Sequence, residues 1–142
     1  MTSRQLAAKE YMDGYGDACR RVRQCEEQYE RESLLIDAIR SASDNDGMPH
    51  GTNIGRPTEA KAIRLADKGL SLFDAKREAL RIQGEIFAVA FLVGGVESDV
   101  LIERYVKLKD WNDVYTAVNY SETQTLRYHR SGLDKVADIL NL

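Results

Sequence analysis

Apolar side chains recur at alternating steps of three and four through Ala8, Tyr11, Tyr15, Ala18, Val22, Cys25, Tyr29, Glu32, Ile36 and Ile39, with Glu32 the polar interruption. An α-helix turns once in about 3.6 residues, so this spacing lines one face of a long helix from about Arg4 to Ser43. Arg20, Arg21, Glu26, Glu27, Arg31 and Asp37 fall on the other face. Gly14 and Gly16 each weaken such a helix by roughly 1 kcal/mol relative to alanine, so it begins or bends there.

The period is lost in SASDNDGMPHGTNIGRP, where Asp, Asn, Gly and Pro cluster. A second helix is expected from Pro57-Thr58-Glu59, because proline suits a first helical turn, and it runs to about Val93. Its stripe is Ile63, Ala66, Leu70, Phe73, Leu80, Gly84, Phe87 and Phe91, widened toward the end by Ile82, Ile86, Val89 and Val93. Gly94-Gly95 stops it. Two helices of similar length, each roughly 55–60 Å, around one break point to a long antiparallel hairpin. A hairpin alone buries little. It must pack on the C-terminal segment, on a second copy as a homodimer, or on both, and the Tyr11–Ile39 stripe serves either a coiled-coil dimer or intrachain packing.

The chain has 142 residues, enough for one domain or two small ones. Its longest apolar run, IFAVAFLVGG, is about half of what a membrane span needs, and its first residues carry no apolar signal-peptide core. Cys19 and Cys25, six residues apart on one helix, lie beyond disulfide reach of each other. A reduced, cytoplasmic setting is the expectation. His50 and His129 stand apart without the acidic or cysteine neighbours of a metal site, and no nucleophile triad, paired carboxylates or phosphate-binding loop with its lysine is present. Neither a metal, a cofactor nor an enzymatic activity is therefore expected.

Residues 96–142 read as three short helices. Ser98-Asp99 would cap the first, which carries Leu101, Ile102, Tyr105 and Val106. Lys109-Asp110 makes a turn, and Trp111, Val114, Tyr115 and Val118 give the second an apolar face. After a turn at Asn119-Tyr120, Ser121 with Gln124 forms a capping box that opens the third helix. Thr125, Tyr128, Gly132, Leu133, Val136 and Leu140 form the inward face of that helix. Helix, short turn and capped helix is a helix-turn-helix.

Its outward face then shows Glu122, Thr123, Gln124, Leu126, Arg127 and Arg130. Arginine reads guanine, glutamine reads adenine and glutamate accepts from cytosine in the major groove, and recognition helices present their N-terminal half there. Glu122, Thr123, Gln124, Arg127 and Arg130 are the candidate base contacts of a double-stranded DNA reader. Lys107, Lys109 and the helix N-terminus at Ser121 are the candidate phosphate contacts.

The stretch LIERYVKLKDWNDVYTAVNYSETQTLRYHRSGLDKV resembles region 4 of bacterial sigma factors. It is closer still to the small phage-encoded sigma-like regulators of the RinA/ArpU late-gene activator kind. The string that carries the likeness is Arg104-Tyr105, Trp111, Tyr120-Ser121, Gln124, Arg127, His129, Leu133 and Lys135, and GMPHGTNIGRPTEAKAIRLA is similar to the linker and following helix of that group. Asp113 and Tyr115-Thr116 depart from the usual second helix, and Gly132 stands where alanine is common. The resemblance implies a phage or prophage regulator that binds promoter DNA, activates late or packaging genes and contacts host RNA polymerase.

Residues 96–142 carry eight acids against six bases. Nonspecific DNA affinity comes mostly from phosphate neutralisation, so this segment alone is expected to bind with a modest salt dependence. The expected organisation is an all-α chain with a hairpin over 1–95, including a linker at 43–57, and a helix-turn-helix module over 96–142. A protein-interaction module without DNA contact is the rival function, and a small terminase subunit a weaker third.

Overall fold

The computed structural model describes residues 1–44 and 55–142, and every regular element among them is helical. In chain order these are α1 (Ser3–Met12), α2 (Gly14–Asp44), α3 (Gly55–Val93), α4 (Gly95–Leu101), α5 (Trp111–Val118) and α6 (Glu122–Leu140), with a π-helical turn, Ile102–Val106, continuing α4. Most of the expected linker, 43–57, lies outside the described residues, as does His50. Among the described residues no helix is long and apolar enough to cross a membrane, and no three His, Cys, Asp or Glu side chains gather as metal ligands.

The chain forms two compact units: Met1–Cys19 with Ala79–Leu142, and Arg20–Glu78. The division expected near residue 95 falls inside the first unit. Its core gathers Ala8 and Met12 of α1, Ile86, Val89 and Ala90 of α3, Leu101, Tyr105 of the π turn, and Leu133, Val136 and Ala137 of α6. In the second unit α2 and α3 lie side by side. Lys76 pairs with Glu26 at 3.6 Å, Lys68 bonds Gln28 at 3.2 Å, and Ile36 and Ala75 are buried.

The single first helix expected from Arg4 is two helices, broken at Asp13 next to the glycine pair. Thr2 caps α1 in a full capping box, its hydroxyl accepting from the Gln5 N–H while the Gln5 side chain accepts from the Thr2 N–H. Such a box satisfies donors that a helix start otherwise leaves free. Arg4 then bonds Asp138 at 2.6 Å and the Leu142 carbonyl at 2.9 Å, tying α1 to the end of α6.

The α3 stripe is reversed from expectation. Ile63, Leu70, Phe73, Leu80, Phe87 and Phe91 are exposed, and the residues expected only to widen the stripe face inward. Ala75, Ala79 and Ala90 lie on that inward side. Ala62, Ala66 and Ala88 of the same helix are exposed. The first stripe, a candidate dimer seam, is used in part within each unit: Ala8 of α1 and Ala18 of α2 are buried in the first, and Ile36 of α2 in the second.

Helix α3 ends as expected. Gly94 and Gly95 both take positive φ, 72° and 66°, and Gly94, not Ser98-Asp99, is the N-cap of α4. Ser98 is instead a buried residue within that helix. The turn expected at Lys109-Asp110 begins one residue earlier. Leu108 has φ 57°, a left-handed conformation that costs a leucine about 1 kcal/mol, and Asp110 caps α5 by accepting from Asp113 N–H.

Helix α6 packs on both α1 and α4 and more lightly on α5. The contact with α4 explains Gly132: a Cβ there would lie 3.1 Å from Leu101 Cδ1 and 3.3 Å from Glu97 Cβ. Gly132→Ala gains roughly 1 kcal/mol of helix propensity, whereas overpacking a filled core costs about 1–3 kcal/mol. A net loss of about 1 kcal/mol, with helical content unchanged, is expected in chemical denaturation.

Candidate nucleic-acid interface

Asn119 ends α5 in the left-handed conformation, φ 64° and ψ 32°, which asparagine tolerates better than most residues. Ser121 then caps α6, its hydroxyl accepting from Gln124 N–H at 3.2 Å. Only half of the expected capping box forms. The Gln124 side chain turns away to donate to Tyr128 Oη at 3.2 Å, and Tyr128 meets Tyr120 edge to face at 5.2 Å between centroids.

The inward face of α6 is Thr125, His129, Gly132, Leu133, Val136 and Ala137. Tyr128 and Leu140, expected inside, are half-buried, and His129 takes the interior place expected of Tyr128. Four residues step from Thr125 to His129, which keeps both on the packed side, while the phenol of Tyr128 finds its partner at the rim.

His129 sits in an aromatic cluster. Tyr105 Oη lies 2.7 Å from its Nε2, the Trp111 ring meets it edge-on at 4.8 Å, and the Arg104 guanidinium covers Trp111 at 4.8 Å. Arg104 also donates to the Lys109 carbonyl at 2.8 Å, bracing the turn before α5. Burial, then Arg104, Lys9 and Arg130, push His129 down to about 4, so its ring is neutral at pH 7. Burial and the nearby Asp13 carboxylate push Tyr105 well above its ordinary range, so the phenol keeps its proton beside the neutral ring. Arg104, Tyr105, Trp111 and His129, all in the string that carries the sigma-like resemblance, are thus packing residues that hold α4, α5 and α6 together.

Of the candidate base contacts, Glu122, Thr123, Arg127 and Arg130 are exposed, and with half-buried Leu126 they line a shallow dent of about 280 Å³ on one face of α6. Gln124 is not among them, being half-buried and engaged with Tyr128. The two lysines among the candidate phosphate contacts are also committed. Lys107 and Lys109 both pair with Glu103, at 2.7 and 2.6 Å. Burial alone would raise the Glu103 carboxyl, but the two ammonium groups outweigh it and hold it below the usual range.

Among the described residues, the same neutralisation extends through the first unit. Arg4 pairs with Asp138, Lys9 with Asp13, Arg81 with Glu85 and Lys135 with Glu97. Arg127 and Arg130 alone among its lysines and arginines have no ion pair, hydrogen bond or ring partner there. Sequence spacing offers Lys9–Asp13, Arg81–Glu85 and Lys107–Glu103, each four residues apart, but not Arg4–Asp138, Lys109–Glu103 or Lys135–Glu97, whose partners meet only in the fold.

The His129 environment makes stability depend on pH. The unfolded ring, with an ordinary value of 6.5, takes up its proton before the folded one, so stability is complete above pH 6.5 and falls as pH drops toward 4. A shift of this size amounts to about 3 kcal/mol. In denaturant melts between pH 7 and 5, wild type is expected to lose stability that His129→Gln does not lose. Thr125 Oγ1 is buried without a hydrogen-bond partner among the described residues. Thr125→Val keeps the shape and removes that group, and is expected to raise stability by about 1 kcal/mol in the same assay.

Comparison with protein-family models, with characterised proteins and with solved structures gives no match to this chain.

Proposed function

We propose that this chain binds duplex DNA and regulates transcription, with α5 and α6 acting as a helix-turn-helix and α2 and α3 as a supporting hairpin. One observation carries the reading. Arg127 and Arg130 stand unpaired on the exposed N-terminal half of α6, in a unit whose other basic side chains are engaged. Desolvating an arginine is justified by a ligand that replaces its water with bidentate bonds, and guanine and phosphate both do so. Exposed Glu122 and Thr123 supply an acceptor and a hydroxyl on the same face, and the Ser121 end of α6 supplies backbone N–H groups. The expected phage late-gene role and the contact with host RNA polymerase rest on the resemblance alone and stand as its extension.

The acidic balance bears on how such binding behaves. With Lys107 and Lys109 held by Glu103, the described first unit of each chain brings the guanidinium groups of Arg127 and Arg130 to DNA. Counterion release then gives a slope of log K against log salt of about −2 per chain. Duplexes selected from a random pool at low salt test this directly. Arg127→Ala is expected to weaken binding to the selected site about tenfold or more, with helicity unchanged. Absence of any salt-sensitive binding by wild type, together with retention of polymerase on the immobilised chain, would replace this reading with the protein-interaction one.

A further inference from the structure

The C-terminal part of α3 has two apolar faces. Ile86, Val89 and Ala90 are buried in the core of the first unit. Turned away from them stand Leu80, 68% exposed, Phe87, 45% exposed, and Phe91, 68% exposed, with Phe87 and Phe91 stacked at 6.2 Å. Gly84 lies among these three, and a Cβ built on it meets nothing within 4 Å. Glycine inside a helix costs roughly 1 kcal/mol, and nothing in the chain's own packing calls for one here.

Residues 80, 84, 87 and 91 step by four, three and four, the a/d spacing of a two-helix seam. We infer that this face is a homodimer interface, on which α3 of a second copy lies antiparallel. The direction follows from the glycine. In a parallel pair like positions meet, so Gly84 would face Gly84 and leave a void. An antiparallel pair sets a against d. Gly84 then receives Phe87 of the second copy, and Leu80 meets Phe91, at both ends of the same two-fold contact. A small residue faces a large one at each glycine layer, which is what native packing density demands. This self-match singles out a second copy as occupant, since an unrelated partner needs no complementarity within the face itself, and closed two-fold dimers are the commonest assembly of identical chains.

Leu80, Phe87 and Phe91, partly exposed, offer on the order of 300 Å² per copy, where a whole aromatic side chain buries about 150–250 Å². That is less than half of the ~800 Å² that each partner of a stable dimer buries, so the dimer is reversible and fills with concentration. It does not depend on DNA being the ligand.

Sedimentation equilibrium on the full chain is the test. The mass is expected to climb from 16.0 kDa toward twice that value as concentration rises. Phe91→Glu should hold it at the monomer, with helicity and melting unchanged because the side chain is exposed. Gly84→Leu should do the same by filling the socket, whereas Ile63→Glu should leave the dimer intact. A wild type that stays monomeric into the millimolar range would overturn the inference. So would a Gly84→Leu variant that associates more tightly than wild type, since a merely sticky face gains from added leucine.

Discussion

The clamp on α6 is the constraint from which the rest of the first unit follows. Leu133, Val136 and Ala137 are fully buried against residues of α1, α3 and α4. Leu101 and Glu97 approach Gly132 so closely that an added Cβ would crowd them, at 3.1 and 3.3 Å. Arg4 and its bonds to Asp138 and Leu142 close the far end. A helix held on two sides has no freedom to roll about its axis. The side chains of its opening turns therefore have a fixed outward direction.

Electrostatics then select among the outward residues. Exposed ion pairs contribute little to stability, in the range of 0–1 kcal/mol, but they change what a surface offers. Glu103 sits between two lysines, and Glu97 joins Lys135 and Ser131. Its carboxyl is held below its ordinary range by its own backbone N–H and these partners, against the opposing effect of burial. Bases that carry such partners present little net charge to a polyanion. An acidic chain can thus still hold a small, sharply placed positive spot on α6.

Much of this was legible in the residues. The three-four period marked α2 and α3, Gly94-Gly95 marked the stop between α3 and α4, and Ser121 and Asn119 marked the start of α6 and the turn before it. The exposure of Arg127 and Arg130 follows from the same period. Other features were not legible for stated reasons. Gln124 has the spacing of a capping-box partner, yet Tyr128 one turn on competes for its amide. His129 and Tyr128 are adjacent, so a shift of one residue in the inward arc exchanges their roles. The Thr2–Gln5 box was not read from the residues, and it starts a helix whose partner, α6, is more than a hundred residues away.

By itself the order of amino acids determined that this chain is helical, where its long helices break, and that α3 carries apolar residues over more than one face. Those are local consequences of a 3.6-residue repeat and of glycine and proline chemistry, and they need no neighbour. Only the tertiary structure decided which face of α3 turns inward, which bases lose their charge to acids, and that α1 belongs against α6. The first and last of those outcomes are competitions between surfaces far apart in the chain, and the pairing of Arg4, Lys109 and Lys135 likewise needs the fold. Burial of a shared core around Ile86, Val89 and Ala90 settled the first and the last, and charge pairing the second.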